Sequence, residues 1–383
     1  MSTLKVDAIR HNSATIDAIT TAADGTCSAK LTSVNGGQLS HRNIAINGAM
    51  NVAQRGTSGN IGAFIVDRFP VFGTGHDEIP TQAQVDVAAG TTPYSLGFRK
   101  ALKVTNGNQT GGAGASDRVF AQTKLEAQDI ANSGWNYTDP NSFITLSYWV
   151  KSSVAQNFHA DIRTFDGTAQ GYCFETGSLT ADTWTKIVKK IPGNSNLQFD
   201  NNNASGLTIV FGIYHGTDYT DAGVTLNQWG TYNGNQRMPT NTTTWYTTND
   251  ATFEYTGVQL EVGDIATSFE HLNYGEELRR CSRYCQVWAR GYCIGNAVGS
   301  NDINIGVPLT TPLRDTPSCN GLQMHRSGNQ STTASFHSAQ YTTNSIVVEI
   351  RMGGWTGGAA VSDEVAYAVT PTNSETMKIS AEL

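Results

Sequence analysis

The chain has 383 residues and a net charge of −7, and only 15% of its residues are Asp, Glu, Lys or Arg. Average soluble proteins carry about 25%, so the polar surface must be built from Asn, Thr, Ser, Gln and Gly, residues suited to pleated strands and tight turns. With no long basic run, and no apolar stretch near the roughly 20 residues that cross a bilayer, nucleic-acid binding and membrane insertion are set aside.

Residues 1–42 behave differently from the rest. Leu4, Val6 and Ala8 alternate with polar neighbours, as does the stretch 14–19, and each reads as a short strand. The apolar mass is too small for a core, so this segment is expected to be an extended anchor that orders by docking on something larger. It lacks the apolar block of a signal peptide. From Asn43 onward the pattern becomes a series of strands between turn clusters. Strands are predicted at 143–150, at 183–191 before the turn signal Pro192-Gly193, at 207–213 with Leu207, Ile209, Phe211 and Ile213 on one face, and at 252–262. In the last of these the alternation changes phase at Gly257, which predicts a β-bulge. Trp149 and Trp184 fall inside strand patterns and read as core.

Asn273 and Glu276 have the spacing of a capping box. The helix they predict carries Leu278, Cys281, Ser282 and Cys285 on one face and runs far enough for Tyr284 to pack on Trp288. Beyond it the pattern is again β, at 345–350, at 365–369, and through Met377, Ile379, Ala381 and Leu383. The expected fold is all-β: an extended N-terminal anchor (1–42), a central jelly-roll β-sandwich (43–272), then one short linking helix with a small C-terminal β-sandwich (273–383).

Little in the sequence points to chemistry. Cys27, Cys173, Cys281, Cys285, Cys293 and Cys319 form no C-x-x-C pair and read as small core residues. There is no nucleophile elbow, zinc-protease helix, P-loop or dinucleotide fingerprint, and the histidines are dispersed. Asp161, Asp166 and Glu175 could pair as glycosidase carboxylates or gather around a structural calcium. Isolated acids are the plainer reading, so neither catalysis nor a cofactor is expected. Aromatic residues in Asn- and Gly-rich loops are more informative, because the apolar C–H face of a sugar stacks on them while neighbouring amides bind its hydroxyls. Trp229, Tyr232, Trp245, Tyr246, Trp135 and Trp355 are the candidate glycan contacts, in competition with plain packing roles.

Three stretches carry a resemblance. The first is Arg42-Asn43-Ile44-Ala45-Ile46-Asn47-Gly48-Ala49-Met50-Asn51-Val52-Ala53-Gln54-Arg55-Gly56, with Val66-Asp67-Arg68-Phe69. The second is Tyr255-Thr256-Gly257-Val258-Gln259-Leu260-Glu261-Val262-Gly263, with Ala266-Thr267-Ser268-Phe269-Glu270, and the third is Tyr274-Gly275-Glu276-Glu277-Leu278 leading to Cys281-Ser282-Arg283-Tyr284. They resemble a widespread type of phage tail-fibre and virion-appendage protein, in which they open and close a jelly roll similar to carbohydrate-binding modules. The opening Ser2-Thr3-Leu4-Lys5-Val6-Asp7 is similar to the start of fibres of marine and cyanobacterial phages. The resemblance implies a structural virion protein on the exterior of a phage tail or capsid. The leading expectation is a homotrimeric tail-fibre subunit that docks on other virion proteins through residues 1–42 and meets a host-surface glycan. The alternatives are a capsid-bound head fibre or decoration protein, a polysaccharide-degrading tailspike enzyme, and a sugar-binding module of a secreted bacterial protein.

Overall fold

The computed structural model describes residues 6–10, 12, 13, 15, 18–25, 27–29, 40–288, 292–298, 302–320, 323–326, 330–333, 335–342, 345–353, 365–369 and 377–383. The protein is mostly β. Near the N-terminus β1 (Ala8–Ile9), β2 (Ile19–Thr21) and β3 (Cys27–Ala29) form a small antiparallel sheet. These strands lie a few residues later than the alternation placed them, and Leu4 lies outside the described residues. No residue whose burial is described between 6 and 25 is buried.

Two six-stranded antiparallel sheets make the central sandwich. The first has the order β14 (Trp229–Thr231), β11 (Gln170–Ser178), β10 (Asn157–Thr164), β13 (Ser205–His215), β8 (Arg118–Glu126) and β5 (Val71–Thr74). The second has the order β12 (Thr185–Pro192), β9 (Phe143–Ser152), β15 (Thr252–Val262), β7 (Lys100–Thr105), β6 (Thr81–Asp86) and β4 (Ser58–Asn60). The chain passes repeatedly from one sheet to the other, as in a jelly roll. Between the sheets Phe211 stacks on Tyr255 with centroids 4.8 Å apart and meets Tyr148 edge-on at 5.0 Å. Leu207, Ile209, Phe211 and Ile213 face this core as their alternation required. Trp149 and Trp184 do not. Alternation with buried Tyr148 and Val150 turns Trp149 outward, and both indoles are half-buried against a satellite cluster around Phe98.

The short helices are α1 (Thr92–Ser95), α2 (Ala127–Ala131) and α3 (Thr244–Thr247), with the longer α4 (Tyr274–Ser282) after the sandwich. At the start of α4 the Asn273 side chain accepts from the Glu276 N–H at 2.9 Å, while the Glu276 carboxylate takes Arg279 instead of closing the box. The helix stops at Ser282, earlier than its spacing predicted. Residues 285–288 become the strand β16 (Cys285–Trp288), so Tyr284 and Trp288 are not helical neighbours. A partner remote in sequence, β25 (Met377–Ser380), captures this segment by register pairing, and tertiary pairing outweighs local preference.

The C-terminal β structure places β25 between β16 and β19 (Ser318–Asn320). A seven-stranded sheet accompanies it, made of β17 (Tyr292–Val298), β18 (Asp302–Pro308), β20 (Gln323–Arg326), β21 (Gln330–Thr333), β22 (Ser335–Gln340), β23 (Val347–Gly353) and β24 (Val365–Val369). Ile305, Val307, Val348, Ile350, Met377 and Ile379 share one core beneath them. Cys173, Cys281, Cys285 and Cys319 are buried, as core cysteines are expected to be.

The three motif stretches meet one another in space. A Cβ on Gly48 would lie 1.9 Å from the Val258 carbonyl oxygen, so only glycine lets residues 42–56 pass so close to β15. Asn43 stitches the same junction, donating to Val258 O at 3.0 Å and accepting from the N–H groups of Ala45 and Leu260. Gly257, at φ +66°, sits where the register of β15 against β9 shifts, and it forms the predicted bulge. Glu277 of α4 accepts from the Asn47 N–H. The motifs are therefore a structural clasp around the end of the sandwich.

Candidate functional site

The outer face of the first sheet is unusually polar. Strand β10 turns Phe158, Ala160 and Ile162 into the core and His159, Asp161 and Arg163 outward, yet all three polar residues are buried. The reason is a long excursion, residues 216–243, which leaves β13, crosses this face as a strap and returns to α3. The strap is fixed by main-chain bonds from Asn227 N–H to Cys173 O and from Tyr232 N–H to Ala169 O, and by the pairing of β14 along β11. Its buried Met238 rests where β13 has Gly212, whose added Cβ would meet the Met238 methyl at 3.1 Å.

Between strap and sheet opens a cleft of about 320 Å³. Its floor is Asp161, Gly171 and Cys173, and its walls include Asp221, Gln228, Trp229, Tyr232, Gln236 and Arg237. Asp161 and Arg163 form a fork-to-fork ion pair along one strand face, the strongest polar geometry available to these side chains. The Arg163 guanidinium then lies 5.1 Å from the centroid of the Tyr232 ring, and Gly171 leaves that ring room to lie over the sheet. Arg118 and Arg237 both stack on Tyr219, at 4.6 and 5.1 Å. Burial lowers the pKa of His159, and burial together with the surrounding Arg237, Arg163 and Arg118 pushes His215 well below the usual histidine range. Neither ring nitrogen of His215 meets a hydrogen-bond partner. Both histidines are therefore neutral at pH 7, and the cleft carries its charge on Asp and Arg.

Of the sequence candidates, the structure sets the Tyr232 ring at this cleft, whereas Trp229 borders it only along β14, its indole turned to the core side against Tyr172 with centroids 5.3 Å apart. Tyr232 is half-buried with its ring at the wall, and Trp229 is half-buried with its indole N–H committed to Pro192 O at 2.7 Å. Trp245, Tyr246 and Trp135 are not surface contacts. The single turn α3 drives Trp245 and Tyr246 inward together, where Tyr246 stacks on Tyr214 at 4.3 Å. Trp135 closes one end of the core against Tyr137 and Phe199. Trp355 lies outside the described residues. Sequence reasoning missed Arg163, Arg237 and Tyr219. The available signal was the alternation of three polar with three apolar residues along β10.

The three acids considered for catalysis or calcium are separated by function. Asp161 is held by Arg163, Glu175 accepts from Asn157 at 2.7 Å, and Asp166, in the β10–β11 turn, accepts from the Asp200 N–H at 2.9 Å. Among the described residues no group of three or more His, Cys, Asp or Glu could hold a metal ion.

The sequence matches no protein-family model and no curated protein sequence. Solved structures similar to part of the chain include the enzymatically active domain of tailspike protein 4 of bacteriophage CBA120, at 12% identity and a TM-score of 0.31. That match covers 57% of this chain and 21% of the tailspike chain, so it spans about a fifth of its length. The CBM22-1 xylan-binding domain from Paenibacillus barcinonensis Xyn10C is similar over 61% of this chain and 100% of its own, at 10% identity and a TM-score of 0.28. A family 11 carbohydrate-binding module from Clostridium thermocellum, in complex with a mixed-linked tetrasaccharide, is similar over 55% of this chain and 97% of its own, at 11% identity and a TM-score of 0.25.

Proposed function

We propose that this protein is a structural component of a tailed-phage virion, a trimeric tail-fibre subunit whose sandwich binds a host-surface glycan in the cleft beneath the strap. The observation that carries the glycan reading is the pairing of the Tyr232 ring at the wall with a buried and pre-oriented Asp161–Arg163 pair on the floor. A sugar ring needs an apolar face to stack on and fixed polar groups to receive its hydroxyls, and both are present within one hollow. The virion reading rests on the three motif stretches, and the trimer on an N-terminal segment, none of whose residues with described burial between 6 and 25 is buried, joined to β domains. The proposal contains no catalytic step: of the acids that line the cleft, Asp161 is held by Arg163, and Asp221 accepts from the Gly223 N–H and the Gln236 amide.

The test is binding of the intact chain to polysaccharide extracted from host envelopes, measured by titration calorimetry beside a Tyr232→Ala variant. Saccharide binding that falls at least about tenfold in the variant, with an unchanged melting point, supports the reading. Equal binding by the two proteins refutes the cleft. Light scattering on the intact chain tests the trimer separately, and a stable monomer refutes it.

A further inference from the structure

A second hollow, of about 650 Å³, opens where the motif stretch 42–46, helix α2 and helix α4 come together, on a different part of the molecule from the strap. Four arginines line it: Arg42, Arg279, Arg280 and Arg283. Two are neutralised in place, Arg279 by Glu276 at 2.7 Å and Arg283 by Glu126 at 2.7 Å. The other two are in no direct ion pair among the described residues, although Arg280 lies within electrostatic reach of Asp129, Glu276 and Glu277. Arg42 gives one N–H to Ser268 O at 3.2 Å and Arg280 gives one to Asn43 O at 3.1 Å, although a guanidinium offers five. The Arg42 Nε is also buried without a hydrogen-bond partner. The one acid lining the hollow is Asp129.

We propose that this hollow is a binding site for an acidic sugar unit, its carboxylate held by Arg42 and Arg280 and a hydroxyl donating to the side-chain carbonyl of Asn132, whose NH₂ is fixed by Gln128 O and Asn201 Oδ1. Planar guanidinium groups recognise a carboxylate through paired N–H donors, and unmatched like charges converging on one hollow repel each other until an anion separates them. The volume suits a mono- or disaccharide. The site does not depend on the cleft under the strap, and either can fail without the other.

Titration of the intact protein with glucuronate, glucose and inorganic sulfate tests it. Glucuronate is expected to bind, glucose not to bind measurably, and sulfate to bind more weakly than glucuronate, with affinity falling as salt is raised. Arg280→Gln and, separately, Arg42→Gln should each weaken glucuronate about tenfold, the weight of one charge-assisted hydrogen bond. Asp129→Asn should tighten it a few-fold by removing the opposing charge, and Tyr232→Ala should leave it unchanged. Melting curves exclude misfolded variants, and Arg42→Gln disturbs only one exposed bond. Indistinguishable binding of glucuronate and glucose, unchanged affinity in both arginine variants, or weaker binding in Asp129→Asn would overturn the proposal. Equal affinity for sulfate and glucuronate would overturn it in favour of a bare anion site.

Discussion

Replacing Glu126 by Gln tests how the helix that follows the sandwich is held to it. The Glu126 side chain is fully buried at the end of β8 and receives four donors: Nε and Nη2 of Arg283, both at 2.7 Å, the Tyr284 hydroxyl at 2.7 Å, and the Gln128 amide. Burial by itself would raise its pKa. The hydrogen bonds from Arg283 and Tyr284 outweigh that and hold the carboxyl below the usual glutamate range. Gln keeps the shape but turns an NH₂ toward one of these donors and leaves the guanidinium without its counter-charge. Two charge-assisted bonds are affected, and Arg283 keeps about a third of its side chain in water, so the expected loss is about 2–3 kcal/mol instead of the larger cost of a fully buried pair. For a chain of this size that is a fall of about 2–4 °C in melting point. A double-mutant cycle with Arg283→Met should return a coupling of about 2 kcal/mol, and amides of 274–288 should exchange faster in Glu126→Gln. The pH dependence has a definite sign. A carboxyl whose folded pKa is depressed contributes stability above its unfolded pKa and loses it as pH falls through the folded value, so the gap between wild type and variant narrows toward pH 3. A coupling below about 0.5 kcal/mol, or a gap that widens in acid, refutes the clasp.

Other expectations follow from the same geometry. Trp245→Ala should cost about 3–5 kcal/mol in chemical denaturation, because the indole is fully buried, whereas Tyr232→Ala should cost under about 1 kcal/mol; comparable costs would contradict the assignment of core and cleft. Gly257→Ala forces a Cβ into positive φ and to within 2.7 Å of the Phe98 ring, so a loss of about 1–3 kcal/mol is expected, and a neutral substitution would remove the bulge argument. His215 is kept neutral in the fold, with its pKa depressed by burial and nearby arginines, so protonation of the unfolded chain draws stability away as pH drops below about 6.5. Melting between pH 7 and pH 5 should therefore fall more steeply for wild type than for His215→Phe; parallel curves would show that this histidine titrates alike in both states.

Much of the frame was legible because it rests on short-range pattern. The phase change at Gly257, the alternation of 207–213 and the Asn273 cap are each settled by neighbours in sequence, and each appears in the fold. The end of α4 was not legible, since what pulls Cys285–Trp288 out of the helix is pairing with Met377–Ser380 at the far end of the chain. Candidate contacts were legible only in part. Trp229–Tyr232 and Trp245–Tyr246 occur in loops of similar composition, but one pair lies along a sheet edge and the other is turned inward by a helical turn. Composition reports that an aromatic is in a loop; it carries no information about which way the loop faces.

The strap over the first sheet separates two kinds of inheritance. Its course is set by main-chain bonds to Cys173 and Ala169, by edge pairing with β11 and by the seat of Met238, none of which involves the rings and carboxylates that it offers to the cleft. A side chain such as Tyr232, whose ring takes part in none of these bonds, can therefore be exchanged, one generation after another, while the sheet beneath it folds as before. Under the proposed glycan reading, a lineage carrying this frame can drift from one ligand to the next through small substitutions confined to a single excursion of its chain.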